Sequence, residues 1–94
     1  TGRRAHAGVA PEAGISAIQV AATAISRMKL LRIDGETTAN IGTISSQYAT
    51  NIVPEVLRRE AEARSRDSAK LDRQSEHMVE CLRTACEQYG AKLE

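Results

Sequence analysis

Hydrophobic and polar positions change rhythm several times along this chain. Ala39, Ile41 and Thr43 alternate with Asn40, Gly42 and Ile44, the two-residue period of a half-buried strand. A polar turn at Ser45–Tyr48 follows, and a second apolar run begins at Ile52. Pro54 has no N–H for a ladder, so a second strand starts at an edge or before full pairing. The pattern predicts a hairpin-like pair over 39–54. Its first strand covers 36–45, entered through the Asp34-Gly35 turn.

Two stretches carry helical periods instead. Over 11–31, Pro11 suits a first helical position and Glu12 complements the positive end of the dipole. Ile15, Ile18, Ala22, Ile25 and Met28 recur at three- and four-residue spacing and form one apolar stripe, which Ala17, Ala21 and Ala24 widen. Gly14 weakens the first turn or marks a close contact. Arg27, Lys29 and Arg32 read as a solvated cationic end. Over 67–89, Leu71, Ser75, Met78, Leu82, Ala85, Cys86 and Tyr89 keep the helical spacing, with Asp67 as N-cap and Gly90 just past the end. His77 lies off this stripe as a solvated histidine, Cys86 in the core and Cys81 at its boundary.

Between these helices, Pro54–Ser65 is ambiguous. Propensity favours helix, because almost every residue from Glu55 to Arg64 is a good helix former. Alternation of Leu57, Ala61 and Ala63 with Val56, Glu60, Glu62 and Arg64 fits a strand, with Arg59 out of phase.

Composition narrows the classes. Ninety-four residues make one domain, 1–94. Thirteen basic and twelve acidic residues leave a net charge of +1, which gives no reason to expect nucleic acid or an anionic membrane. With no Phe or Trp and two Tyr, base-stacking platforms are not expected either. No run approaches the ~20 apolar residues that span a bilayer, and Thr1-Gly2-Arg3-Arg4 does not open a signal peptide. Cys81 and Cys86 would sit roughly 8 Å apart on a helix, too far for a disulfide. A reduced, cytoplasmic chain follows, with no zinc-ligand spacing.

Three blocks then point further. A-H-A-G-V-A-P-E at Ala5–Glu12, A-T-N-I-V-P at Ala49–Pro54 and E-A-R-S at Glu62–Ser65 resemble peptidase T-like and carboxypeptidase G-like zinc exopeptidases. The resemblance runs from about Gly2 to Gly90 and is to the dimerisation, or lid, domain of those enzymes. The chain departs at Ser46-Gln47, where the family often has Gly-Gly. The resemblance implies an α+β, ferredoxin-like split βαβ sandwich, an antiparallel sheet with both helices on one face. Thr1–Gly8 would then be the end of a strand, Pro54–Ser65 a strand, and the last strand would be truncated after Gly90. It implies a homodimer through edge strand 36–45 and helix 11–31, and a peptide substrate in the parent enzyme. Two zinc ions would belong to the parent's catalytic domain, leaving this fragment without metal ligands or activity of its own.

The resemblance also implies site residues. His6 would contact the oxyanion in the neighbouring subunit's site; on the residues alone it is a surface or turn histidine. Asn51, able to donate and accept, would orient the substrate, whereas Asn40 reads as solvent-facing. Arg64 would receive the substrate's terminal carboxylate bidentately; its competitor is a salt bridge to a glutamate. Two other classes share these residues. One is a small-molecule-binding regulatory module of ferredoxin-like fold; the other is a purely helical interaction protein, if 54–65 is helix.

Overall fold

The C-terminal helix is built from signals within its own sequence. In the computed structural model, which describes residues 1–93, α2 (Ser68–Tyr89) starts where the Asp67 carboxylate accepts from the amides of Ala69 (2.9 Å) and Lys70 (3.3 Å). It ends at Gly90, whose φ of 72° is left-handed. The amides of Gly90 and Ala91 donate back to Glu87 and Cys86, a closure that needs a residue free of the Cβ penalty. Gln74, Met78, Cys81, Leu82, Ala85 and Cys86 are buried along one face. Cys81 is thus a core residue rather than a boundary one, and both thiols are free.

The N-terminal helix is shorter than 11–31. Pro11–Ala13 form a single 3-10 turn, and α1 proper is Ala17–Arg27. The break falls at Gly14 and Ile15. Ile15 exchanges two backbone hydrogen bonds with Arg3, both 2.7 Å, so its amide is committed outside any helix. Ser16 then caps α1 by accepting the Gln19 amide. The buried face keeps Ala17, Ala21, Ala24 and Met28 of the expected stripe, with Ile15 and Ile25 packed against the core, and departs from it at Ile18 and Ala22. Ala17, Val20, Ala21 and Ala24 point inward, while Ile18 is 46 % exposed and Ala22 is exposed. The outer face carries Ile18 and Ala22 among the polar Gln19, Ser26 and Arg27.

α1 stops because α2 takes hold of the chain behind it. Gln74 Nε2 donates to the Lys29 carbonyl (2.8 Å) and the Lys29 amide donates to His77 Nε2 (2.9 Å). His77, expected in solvent, is therefore half-buried and structural. The next residues form β1 (Leu31–Arg32), which the helical pattern had hidden. β2 (Thr37–Ser45) and β3 (Arg58–Ser65) complete an antiparallel sheet ordered β1-β2-β3. The register runs from Thr37 opposite Ser65 to Ser45 opposite Arg58, with a bulge between Ile41 and Thr43.

Two expectations about the sheet change accordingly. The strand at 36–45 is not an outer strand at its start, because β1 pairs with Thr38 and Ala39; the run from Asn40 onward lacks that cover. The second strand begins at Arg58 rather than Ile52, which instead bridges to His6. Thr1–Gly8 contributes isolated bridges, not a strand. Pro54–Ser65 has no helix: its C-terminal part is β3, where pairing to β2 overrides propensity. Of the final strand, Ala91–Leu93 show no regular structure, and Glu94 lies outside the described residues.

The result is α+β, with two antiparallel helices on one face of the sheet, the ferredoxin-like split βαβ arrangement. Val20, Ala24, Met28, Ala39, Met78, Leu82 and Ala85 form the centre of the core, with Ala24 and Ala85 wholly buried. Small side chains there allow the helix backbones to approach closely. The β1–β2 turn is tied by Asp34, which accepts the Glu36 amide at 2.9 Å, and by Lys70, which reaches both Glu36 and Asp34. That amide bond holds the Asp34 carboxyl below its usual value. A lowered folded-state pKa stabilises above the unfolded value of about 3.9, and the contribution is lost as pH falls through the folded value.

Leu31 has φ of 65° and is 68 % exposed. A leucine is strained there and buries little to offset it. Replacement Leu31→Gly is expected to raise stability, by up to about 1 kcal/mol, read as a higher urea midpoint. An unchanged or lower midpoint removes the strain argument.

Candidate functional site at the ribbon tip

The residues expected to touch a substrate fall at two separate places. His6 and Asn51 come together. Residues 5–7 run antiparallel to 51–53: the Ala7 amide donates to the Asn51 carbonyl (2.8 Å) and the Val53 amide to the Ala5 carbonyl (2.7 Å), with His6 opposite Ile52. This two-rung ribbon puts His6 and Asn51 on successive rungs, both exposed, with the backbone rather than a side-chain contact joining them, since successive rungs alternate in face. Further back, Gly2 donates to Glu55 and Ala17 to Pro54, which anchors the ribbon to the start of α1.

The His6 ring is held in one tautomer. The Gly8 amide donates to its Nδ1 at 3.2 Å, so in the neutral ring the proton sits on Nε2 and faces outward as a donor. That is the form needed to stabilise a developing negative charge on oxygen. An exposed Asn51 one rung away supplies both a donor and an acceptor.

Side chains that drew no notice in the sequence secure this tip. Arg4 pairs with Glu55 (3.3 Å) and lies 5.5 Å over the Tyr48 ring. Tyr48 Oη accepts the Val56 amide (3.2 Å), and Ser46 Oγ donates to the Val56 carbonyl (2.7 Å). Thus the segment around Ser46-Gln47, where the family often has two glycines, is fixed by side-chain bonds. The only hint in the sequence was a tyrosine in an otherwise polar turn.

Arg64 stands elsewhere. It is opposite Thr38, near the far end of β3, and its Nε donates to Glu62 two residues back on the same strand. It lies six positions along β3 from Arg58, roughly 20 Å of strand. Both partners of the ion pair are mostly exposed, so the pair adds little to stability.

Among the described residues no group of three or more His, Cys, Asp or Glu could hold a metal ion. The zinc ions that the resemblance implies are expected in the parent's catalytic domain, and these side chains do not form such a site. A groove of about 450 Å³ lies between β3, the two helices and the chain ends and includes neither His6 nor Asn51. No helix of the described residues is long and apolar enough to cross a membrane.

Comparison with known proteins decides the family. Residues 1–90 match the peptidase dimerisation domain. The chain belongs to that family. It is 47 % identical over 93 residues to the uncharacterised protein YqjE of Bacillus subtilis, covering 99 % of this chain and 25 % of that one. Among solved structures it is similar to aminopeptidase PepT from Bacillus cereus, with a TM-score of 0.93 and 49 % identity over 95 % of this chain and 24 % of that one. A tripeptidase from Staphylococcus aureus gives 0.90 and 46 %, over 94 % and 23 %. An aminobenzoyl-glutamate utilization protein from Klebsiella pneumoniae gives 0.90 at 27 %, over 100 % and 24 %. The chain spans about a quarter of the length of each of these relatives.

At Gly14 the dimerisation domain holds both strands of its ribbon in close contact. A Cβ there would stand 2.9 Å from the Ala5 Cβ, 3.0 Å from the Arg3 carbonyl and 3.1 Å from the Val53 Cβ. Backbone must shift to admit it. In Gly14→Ala the Ala7 and Val53 amides are therefore expected to exchange with solvent at least several-fold faster, while those of α2 keep their protection. Equal protection at both ribbon amides would show that the ribbon does not depend on this contact.

Proposed function

We propose that this chain is the dimerisation and substrate-capping domain of a zinc-dependent di- or tripeptidase-like hydrolase. It pairs two subunits and lends polar groups to active sites whose metal ligands lie outside it. The carrying observation is the exposed ribbon tip that holds His6, with Nε2–H free to donate, and Asn51 on the next rung. Similarity to an aminopeptidase and a tripeptidase supports the reaction class.

In this reading His6 donates to the oxyanion of the scissile amide and Asn51 aligns the substrate backbone. Arg64 receives a terminal carboxylate, but not of the same molecule. A tripeptide spans about 10 Å extended, half the strand length between Arg64 and the ribbon end of β3. One copy's His6 and Asn51 therefore serve the neighbouring subunit's site, and its Arg64 serves its own. Two copies associate through the run of β2 beyond Ala39 and the uncovered face of α1. Ile18 (46 % exposed) and Ile44 (54 %) are apolar side chains that such a contact would bury, and an unpaired strand edge is a template for a second copy.

In the full-length protein, His6→Ala is expected to lower kcat on the order of 10²–10³-fold with an unchanged melting temperature. Mixed with an inactive metal-ligand variant, it should regain partial activity, since each hybrid holds one site with intact ligands and a histidine from across the interface. No recovery in verified hybrids would sink the action in trans. Near-normal turnover in His6→Ala would remove the residue from the reaction. Ile18→Asp should shift the sedimentation coefficient toward monomer; a retained dimer would move the interface off α1.

A further inference from the structure

Arg64 does not stand by itself on the sheet. Thr38 pairs with Arg64 on one side and with Arg32 on the other, so one rung crosses all three strands as Arg32–Thr38–Arg64. Directly paired residues share a face. Thr37 and Ala39, which flank Thr38, are the buried residues of β2; the rung therefore points away from the helices. Its two arginine Cα atoms are roughly 10 Å apart, two strand spacings, and both side chains are long enough to meet above the threonine.

The surroundings suit an anion. A hollow of about 330 Å³ at the β1 edge of the sheet is lined by Leu31, Arg32, Thr38, Ala39, Asn40 and Glu62, with Arg64 just outside its lining. Glu62 is the acidic group beside the rung and engages Arg64 through Nε, which leaves the terminal guanidinium nitrogens as donors. Arg32 makes one long contact, 3.5 Å from Nη1 to the Asp34 carbonyl. Two cations against one carboxylate leave the rung positive. Arg32 also follows Leu31 directly, the one non-glycine residue with positive φ among those described. Local strain of this kind persists where the surrounding structure imposes it, and clusters at ligand sites. Here the strained residue stands directly before the arginine of the rung.

We propose that Arg32 and Arg64 together form the receptor for a ligand carboxylate, with the Thr38 hydroxyl as a third donor between them. The ligand class is a short peptide with a free C-terminus. This deepens the role given to Arg64 above and rests on it. It adds Arg32 and Thr38, which carry no role in that reading, and makes the free carboxylate a condition of tight binding.

The test compares trialanine with trialanine amide as substrates of the full-length protein. Loss of one charge-assisted contact is expected to raise KM for trialanine on the order of 10-fold in Arg32→Gln, with kcat changed less. KM for the amide should move less than about 2-fold, because the uncharged end gains little from either guanidinium. Arg32→Lys should recover part of the loss, a point charge replacing a fork. The double variant with Arg64→Gln should cost less than the product of the single losses. Should Arg32→Gln fail to fold, Arg32→Lys and Thr38→Val carry the same comparison.

Equal effects on trialanine and its amide overturn the carboxylate receptor. A loss in Arg64→Gln with none in Arg32→Gln overturns the partnership and leaves the proposed function standing. A wild-type protein that neither hydrolyses these peptides nor binds them in equilibrium dialysis overturns both.

Discussion

Much of this domain depends on how α2 holds the backbone of Lys29. Gln74 donates to its carbonyl and His77 accepts its amide, so both main-chain groups of one residue are satisfied by a single helix face. Gln74 is 5 % exposed, and a buried polar group of that kind is costly unless paired. The clasp prevents α1 from continuing, since the Lys29 amide is no longer free to bond four residues back. The chain then turns through the positive φ of Leu31 and lays β1 along β2. From there the order of the sheet, the cover over Thr38 and Ala39, and the alignment of Arg32 all follow.

This explains what could be read along the chain and what could not. α2 was legible because its cap, its apolar period and its left-handed glycine lie within its own residues. β2 was legible from strict alternation. α1 was over-extended because Gly14 and Lys29 are terminated by distant partners: Arg3 and Ala5 at one end, Gln74 and His77 at the other. No local rule announces them. Its buried face was legible in most positions: Ala17, Ala21, Ala24 and Met28 are buried, and Ile15 and Ile25 pack against the core. Val20 was missed and Ile18 and Ala22 were placed inward, because Val20 and Ile18 lie on neighbouring arcs of the helix and sequence cannot say which one meets the core. The alanines suit two helices that must approach closely over a sheet without Phe or Trp.

Pro54–Ser65 shows the opposite conflict. Its Glu, Arg and Ala content favours helix, but eight of its residues pair with β2. Pairing wins because helix propensity differs by only tenths of a kcal/mol per residue. A ladder satisfies every second backbone group of β3 against a strand that β1 holds in place on its other side. The resemblance to known peptidases, rather than the physics of the segment, made this choice readable.

The site residues teach a related lesson about distance. His6, Asn51 and Arg64 sit in three motifs that sequence treats as one set, and the fold divides them. Antiparallel pairing sends β3 away from the ribbon, so Arg64 ends a strand's length from the other two. A domain that offers contacts at both ends, to a substrate shorter than the gap, gains from being doubled. In a symmetric pair each copy's ribbon tip can stand over the partner's site while its open sheet face stands over its own. On the function proposed above, dimerisation is then a requirement for assembling either site rather than an aid to stability. The exposed Ile18 of α1 and the unpaired run of β2 have a corresponding logic in that proposal: apolar surface left open on a small domain is a liability, unless association is what completes the chemistry.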